Sequence, residues 1–337
     1  MMMLNESMKW PEKLLEGYDL GQDFYRLHAL NFPRKIKRIV FVGMGGSGIA
    51  GKIFQTFFDK KSKISVVIVD SCELPNNIDA ESLVIVMSYS GNTWEALDVL
   101  QESLNRFLPT IVIAHGGRAV EIAQARNIPF LLMPVSSAPR AALGHYLGIL
   151  CAIFQSLGLL DGKILLDHWI GHAKRYLPQL SEQRFYDEFV ALALDLDIFH
   201  LWGIRGYTDA VAFRAQTQFN ENSKVAAVST IFPEVCHNLI VGMSKFNKKP
   251  LVVVFSTDFL PLHLMTGLEV TLEILREKGV VLYKTPILGD TLEGQIFNIV
   301  LWSDFASNFL ALARGVDALP VHIIDQLKVK QKHKGIS

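Results

Sequence analysis

Cysteine is scarce in this chain of 337 residues. The three present, Cys72, Cys151 and Cys236, lie far apart, with no CxxC and no paired spacing. That excludes a disulfide framework and a cysteine-built zinc site, and it fits a reducing compartment, so a cytoplasmic location is expected. A charge excess of either sign is missing too: Lys+Arg number 33 and Asp+Glu 33, a formal net charge of zero. Nothing resembles the basic footprint of a nucleic-acid binder, and no DNA-binding extension is evident, so no nucleic-acid partner is expected. Histidine motifs of the HxH or HExxH kind are absent, and no metal is expected. The N-terminus, MMMLNESMKWPEKLLEG, meets charges and a proline before an apolar run of signal-peptide length develops, and it reads as mature protein. One stretch has the length of a membrane span, Ala141 to Leu160, but it carries His145, Gln155 and Ser156 and no flanking anchors. It reads as a buried helix, and no membrane partner is expected.

What is present is apolar and periodic. Half the residues are hydrophobic and 20% are charged, so the chain is compact rather than disordered, and its length suggests two domains. A strand-like run, Arg38 to Val42, leads into GMGGSG (Gly43 to Gly48) and a helix-compatible segment. Further strands are expected at Ile64 to Asp70, Leu83 to Ser88 and Thr110 to Ala114, with a helix over Trp94 to Phe107. This alternation predicts an α/β fold with a largely parallel sheet covered on both faces.

After a helical bridge the order returns: a strand at Ile198 to Gly203, a glycine turn, a helix, then VAAVST and Leu251 to Ser256. The expected architecture is therefore two doubly wound parallel-sheet domains related by internal duplication. Their bounds are read as 1–155 for the first, 156–197 for the bridge and 198–337 for the second, which includes a C-terminal helix. Ser47, four positions after Gly43, pairs with Tyr207, four after Gly203. LVIVMSYSGNT pairs with LVVVFSTDFLP, which has lost the glycine and most of the small hydroxyls. Only the first copy is expected to hold a phosphate.

Two readings of the first copy compete. Gly43, Gly45 and Gly48 satisfy G-x-G-x-x-G after a strand, and Asp70 ends the next strand where a dinucleotide fold places its ribose-binding acid. Against this stands a second loop, Ser88-Tyr89-Ser90-Gly91-Asn92-Thr93, also between a strand and a helix. Two such loops side by side offer the hydroxyls of Ser47, Ser88, Ser90 and Thr93, free N–H groups and two helix N-termini, a cage for one compact phosphate dianion. Ser and Thr here could also simply cap helices.

The two loops resemble those of the sugar isomerase (SIS) domain. Across nearly the whole chain, GMGGSGIAG, SYSGNTWEAL, SSAPRAALG, FNENSKV, CHNLIVGM and LPVHIIDQLK occur in the order seen in bifunctional phosphoglucose/phosphomannose isomerases, which are built from two SIS domains. The resemblance implies a metal-independent aldose–ketose isomerase acting through an enediolate on a phosphosugar substrate, without a cofactor. It implies that Gly46, Ser47, Ser88, Ser90 and Thr93 bind the substrate phosphate and that Glu221, in N-E-N, is the catalytic base. It makes His237, in H-N, the ring-opening histidine, contributed across a homodimer interface. Arg140 matches the arginine of S-A-P-R, and Lys328 matches a C-terminal lysine, with Lys330 close beside it.

The chemistry closes on these residue types. Moving a proton between C2 and C1 needs a carbon base, ring opening needs a proton donor and acceptor, and the enediolate needs a cation nearby. A carboxylate, a histidine and a guanidinium supply these roles. A phosphosugar sensor without turnover and a nicotinamide-dependent oxidoreductase built on GMGGSG and Asp70 are the alternatives. His168 and His172 stand four apart, but with no third ligand evident they read as a solvated helix face.

Overall fold

The computed structural model describes residues 2–243, 245 and 250–334. Its elements run α1 (Met2–Met8), α2 (Trp10–His28), β1 (Arg38–Val42), α3 (Gly45–Lys61), β2 (Ser65–Val69), β3 (Ser82–Met87), α4 (Trp94–Asn105), β4 (Thr110–Ala114), α5 (Gly117–Ala125) and β5 (Phe130–Leu132). There follow α6 (Leu143–Ser156), α7 (Gly162–Leu180), α8 (Asp187–Ala193), β6 (Ile198–Ile204), α9 (Asp209–Gln218), β7 (Ala226–Phe232) and α10 (Leu239–Met243). The chain continues through β8 (Leu251–Val254), α11 (Leu262–Glu277), β9 (Val281–Lys284), α12 (Leu292–Ala313) and α13 (His322–His333). By their contacts the residues form two units, one of Trp10–Asp167 with Val321–Ser337 and the other of Met1–Lys9 with His168–Pro320. The expected bounds kept the C-terminal helix with the second sheet. In the structure α13 packs with the first.

The first unit is built on a five-stranded parallel sheet in the order β2-β1-β3-β4-β5. Successive side chains on a strand point to opposite faces, so a parallel sheet with helices on both sides needs apolar residues at every position. Val40 and Val42 of β1 thus join Val84, Val86 and Val112 in a core closed by Val99, Leu100 and Val120 of α4 and α5. Their neighbour Phe41 points the other way and meets Phe154 of α6 edge-on at 6.0 Å. Within the Ala141 to Leu160 segment, Leu143–Ser156 form α6, buried from Leu143 to Phe154 as expected of a core helix.

The buried position of α6 depends on a close crossing with α2. A Cβ on Gly148 would stand 2.2 Å from the carbonyl oxygen of Leu14, and one on Gly17 would stand 2.4 Å from that of His145. Backbone oxygens cannot rotate away as a side chain can. Gly148→Ala is therefore expected to cost roughly 1–3 kcal/mol of stability by overpacking, read as a lower urea midpoint at unchanged slope. At Gly171, where a Cβ meets no atom within 4 Å, the same change in α7 should not destabilise.

The second unit carries a four-stranded parallel sheet in the order β7-β6-β8-β9, the first four positions of the other sheet repeated. Register supports the duplication: Val42 pairs with Val86 in the first sheet, and Trp202 with Val254 in the second. On one face Trp202, Ile204, Val252 and Val254 pack on Leu268, Leu272 and Leu275 of α11. On the other, Phe199 and Phe255 meet Phe219 and Trp302 in an aromatic cluster. Trp302 belongs to α12, and among the described residues this is the helix with the length and apolarity to cross a membrane; 89% of its apolar window is buried in the protein. The segment singled out in the sequence, α6, is shorter.

Candidate active site

In the first sheet the strand order reverses between β1 and β3, and ligands of doubly wound folds bind outside the carboxyl ends of the strands at such a reversal. The loops leaving those two strands are the two hydroxyl-bearing loops. The turn after β1 is tight enough that α3 begins at Gly45, and a Cβ on Gly48 would fall 2.3 Å from the carbonyl oxygen of Gly43. Glycine at 48 thus lets the helix start against the strand end, with its first-turn N–H groups at the carboxyl edge. Neither Met44 before α3 nor Thr93 before α4 caps its helix through a side chain. Capping therefore does not account for Thr93.

The protein uses these hydroxyls mainly as acceptors. Ser47 Oγ accepts from the Tyr89 N–H at 3.1 Å and from the Tyr146 hydroxyl at 3.5 Å. Ser90 Oγ accepts from the Asn92 N–H at 3.2 Å, and Thr93 Oγ1 accepts from the Ser88 hydroxyl at 3.2 Å. A hydroxyl has one proton and two lone pairs, so an oxygen already accepting keeps its proton for another partner. Among the described residues no acceptor takes the protons of Ser47, Ser90 and Thr93, leaving three donors on the two adjacent loops. Ser88 spends its proton on Thr93 and acts through it.

Tyr89 and Tyr146 went unnoticed in the sequence. Tyr89 is fixed by the Ser136 N–H, which donates to its hydroxyl at 2.6 Å, and by a stacked His115 ring 5.3 Å away. Burial pushes the Tyr146 hydroxyl well above the usual tyrosine range, so it stays protonated and able to donate. A tyrosine hydroxyl within the largely apolar run Leu143 to Phe154 was the available signal.

Arg140 lies in a short 3-10 turn, Pro139–Ala142, and is 1% exposed. Its backbone abuts the first loop: a Cβ on Gly46 would stand 3.1 Å from the Arg140 Cα. Lys328 comes from α13. It lines a cleft of about 740 Å³ together with Ser90, Asn92, Thr93, Trp94 and Arg118. Lys330 does not line this cleft. Gly46, Ser47, Ser88, Ser90, Thr93, Arg140 and Lys328 thus all belong to the first unit, with Ser90, Thr93 and Lys328 lining one cleft and Gly46 abutting Arg140.

The second sheet repeats the plan with its hydroxyls engaged. The close approach of Gly43 to Gly48 recurs as that of Gly203 to Asp209, where a Cβ would stand 2.5 Å from the Asp209 Cα. The loop is one residue longer, so the counterpart of Ser47 is Thr208 rather than Tyr207. Thr208 gives its proton to the Phe255 carbonyl at 2.7 Å, and Thr257 gives its proton to Gln295 Oε1 at 2.6 Å. Pro261 occupies the position before α11 that Thr93 occupies before α4. Hydroxyls remain here, but protein acceptors consume them.

The other sequence candidates resolve as follows. Asp70 is ion-paired with Lys52 at 2.9 Å, which places a cation where a ribose would have to approach. His168 is exposed, whereas His172 is not on a solvated face. It packs against Gly289 and Gly294, with Asn298 Nδ2 3.1 Å from its Nδ1 and Asp290 3.6 Å from Nε2. Burial, partly offset by Asp290, holds its pKa below the usual histidine range. Among the described residues no group of three His, Cys, Asp or Glu side chains converges in metal-ligating fashion.

Glu221 and His237 belong to the second unit. Helix α9 runs into a π-helical turn, Phe219–Ser223, which carries Glu221 half-buried. Lys224 follows in the left-handed region, at φ 57, and its Nζ donates to the carbonyl oxygens of Glu221 and, at 2.9 Å, Pro320. Asn220 Oδ1 accepts from the Ala227 N–H at 2.7 Å, which ties the turn to the amino end of β7. His237 lies past the opposite end of that strand, exposed, in the 3-10 turn Glu234–His237. The two groups thus lie towards opposite ends of β7, a strand of seven residues about 20 Å long.

Comparison with known proteins adds to this geometry. Residues 34–128 match the SIS domain, and residues 186–330 match the bacterial phospho-glucose isomerase C-terminal SIS domain. The chain is 30% identical to the bifunctional phosphoglucose/phosphomannose isomerase of Caldicellulosiruptor bescii, over 95% of this chain and 96% of that one. It is 29% identical to the protein of the same name from Thermoplasma volcanium, over 87% and 91%. Among solved structures it resembles a hypothetical protein from Thermus thermophilus, with a TM-score of 0.76 at 16% identity, covering 98% of this chain and 90% of that one. That likeness bears on the fold.

Proposed function

Because the chain belongs to the bifunctional phosphoglucose/phosphomannose isomerase family, we propose that it interconverts glucose 6-phosphate and mannose 6-phosphate with fructose 6-phosphate. It is an aldose–ketose isomerase. The observation that carries the substrate reading is the trio of unspent hydroxyl protons on Ser47, Ser90 and Thr93, set beside two uncapped helix N-termini. Neutral donors with fixed partners suit a phosphate dianion, and Lys328, which lines a cleft with Ser90 and Thr93, adds a positive charge. In the proposed reaction the phosphate anchors the sugar and His237 transfers a proton at the ring oxygen to open it. Glu221 then takes the C2 proton and returns it at C1, while Arg140 stabilises the enediolate oxygen. No metal or redox cofactor enters these steps.

The reading includes a homodimer in the cytoplasm, serving glycolysis and gluconeogenesis. The separation of Glu221 from His237 along β7 supports the dimer, since a single hexose phosphate cannot span it, and a histidine supplied by a second copy removes the difficulty. A coupled spectrophotometric assay tests the activity with glucose 6-phosphate, mannose 6-phosphate and glucosamine 6-phosphate presented separately, with and without chelator. Turnover of the first two, indifferent to chelator, is expected. Binding of fructose 6-phosphate without turnover of any of them would make the protein a phosphosugar sensor instead.

A further inference from the structure

We propose that Asp304 and Gln218 are positioning residues that hold the π-helical turn so that Glu221 keeps its place as a proton-transfer base. The inference rests on the reading of Glu221 as that base.

Three observations carry it. First, the turn is a conformation that a sequence does not adopt by default. A π-helical turn is rare, and the non-glycine Lys224 in the left-handed region adds to its cost. Such geometry persists only where surroundings over-determine it. Second, the surroundings are one continuous polar network inside the second unit. Arg214, fully buried, donates to Asp304 Oδ1 at 2.8 Å, and Gln218 Nε2 donates to the same oxygen. Gln218 Oε1 in turn accepts from Asn222 Nδ2 at 3.4 Å, and that amide also donates to Ser307 Oγ at 2.9 Å. Ser223 Oγ donates to the Ser307 carbonyl at 2.7 Å. Asp304 and Ser307 stand three apart on α12, one above the other on one helix face, so a single rigid surface receives the turn.

Third, the network brackets Glu221. Gln218 and Phe219 before it and Asn222 and Ser223 after it are buried, while Glu221 itself is half-buried. Anchors on both sides of a carboxylate fix its backbone without engaging the network in the chemistry. A buried network of this kind fixes geometry whether or not it adds net stability over apolar packing.

The test compares Asp304→Asn and Gln218→Met with the parent protein and with Glu221→Gln. Asp304→Asn removes the charge opposite buried Arg214 and so risks unfolding. Gln218→Met leaves that ion pair in place and cuts only its link to the turn. Each variant is assayed for kcat, KM, thermal midpoint and the isotope effect on glucose 6-phosphate deuterated at C2. Displacing a base by about 1 Å costs up to roughly 10²-fold, so Gln218→Met should lose ten- to a hundredfold in kcat with KM within about twofold. Its isotope effect should grow, because proton abstraction becomes slower relative to the other steps. A kcat loss matched by a loss of folded protein, with the isotope effect unchanged, would overturn the proposal. So would parental kcat in folded Gln218→Met while Glu221→Gln is inactive. An active Glu221→Gln would instead remove the base role, and this inference with it.

Discussion

Glu221→Gln is expected to lower kcat by at least roughly 10²–10⁴-fold while leaving the affinity for fructose 6-phosphate near that of the parent, because an amide cannot accept the C2 proton yet fills the same space. The proposed phosphate-binding residues are others, in the first unit, so binding measured by calorimetry should persist when turnover fails. A folded, active Glu221→Gln protein would take Glu221 out of the mechanism. Mixing sharpens the test. If His237 reaches a neighbouring copy, a heterodimer of Glu221→Gln and His237→Ala chains contains one site with both groups intact and one with neither. Activity should return on mixing two inactive proteins. If both groups serve one site within a single chain, no mixture regains activity. The strand that separates them, β7, favours the first outcome.

Arg140→Ala should reduce kcat by roughly 10²-fold or more, the cost of losing one preorganised donor to a developing oxyanion. The side chain is buried and its backbone abuts Gly46 in the loop after β1, so the substitution also threatens that loop. The two effects separate kinetically. Loss of the oxyanion donor lowers kcat with KM little changed, whereas a disturbed loop raises KM for every phosphosugar alike. A change confined to KM would make Arg140 a binding residue. Arg140→Lys keeps the charge but not the planar fork, and a partial return of kcat in that variant would assign the effect to charge.

Much of the fold was legible because a buried parallel strand is written as a continuous apolar run. β1 and β4 fall where such runs were read, and the bounds of the others shift by a residue or two. The short strands β5 and β9 were not legible: FLL and VLYK carry too few residues to show a pattern. The hydroxyls of the two loops were legible because their chemistry is local, packed into six-residue stretches. Their loading as acceptors was not, since Tyr146 lies 99 positions from Ser47. The same holds for Asp304, 90 residues beyond Arg214, which nothing nearby in the chain announces. Pairing Ser47 with Tyr207 failed for a simpler reason: one added residue in the second loop, invisible to a count from the glycine, moved the counterpart to Thr208.

The return of Val321–Ser337 to the first unit bears on any attempt to cut the gene in two. Expressed alone, the amino-terminal half would lack a helix that lines its own cleft, and the carboxyl-terminal half would carry that helix with nothing to cover. A duplicated ancestor whose halves had stayed contiguous could have shed one copy and kept a working remnant. Here each half has lent its tail to the other, so deletion of either is a double injury, and a circular permutant that joins the tail to Trp10 is the shorter route to a free-standing first unit.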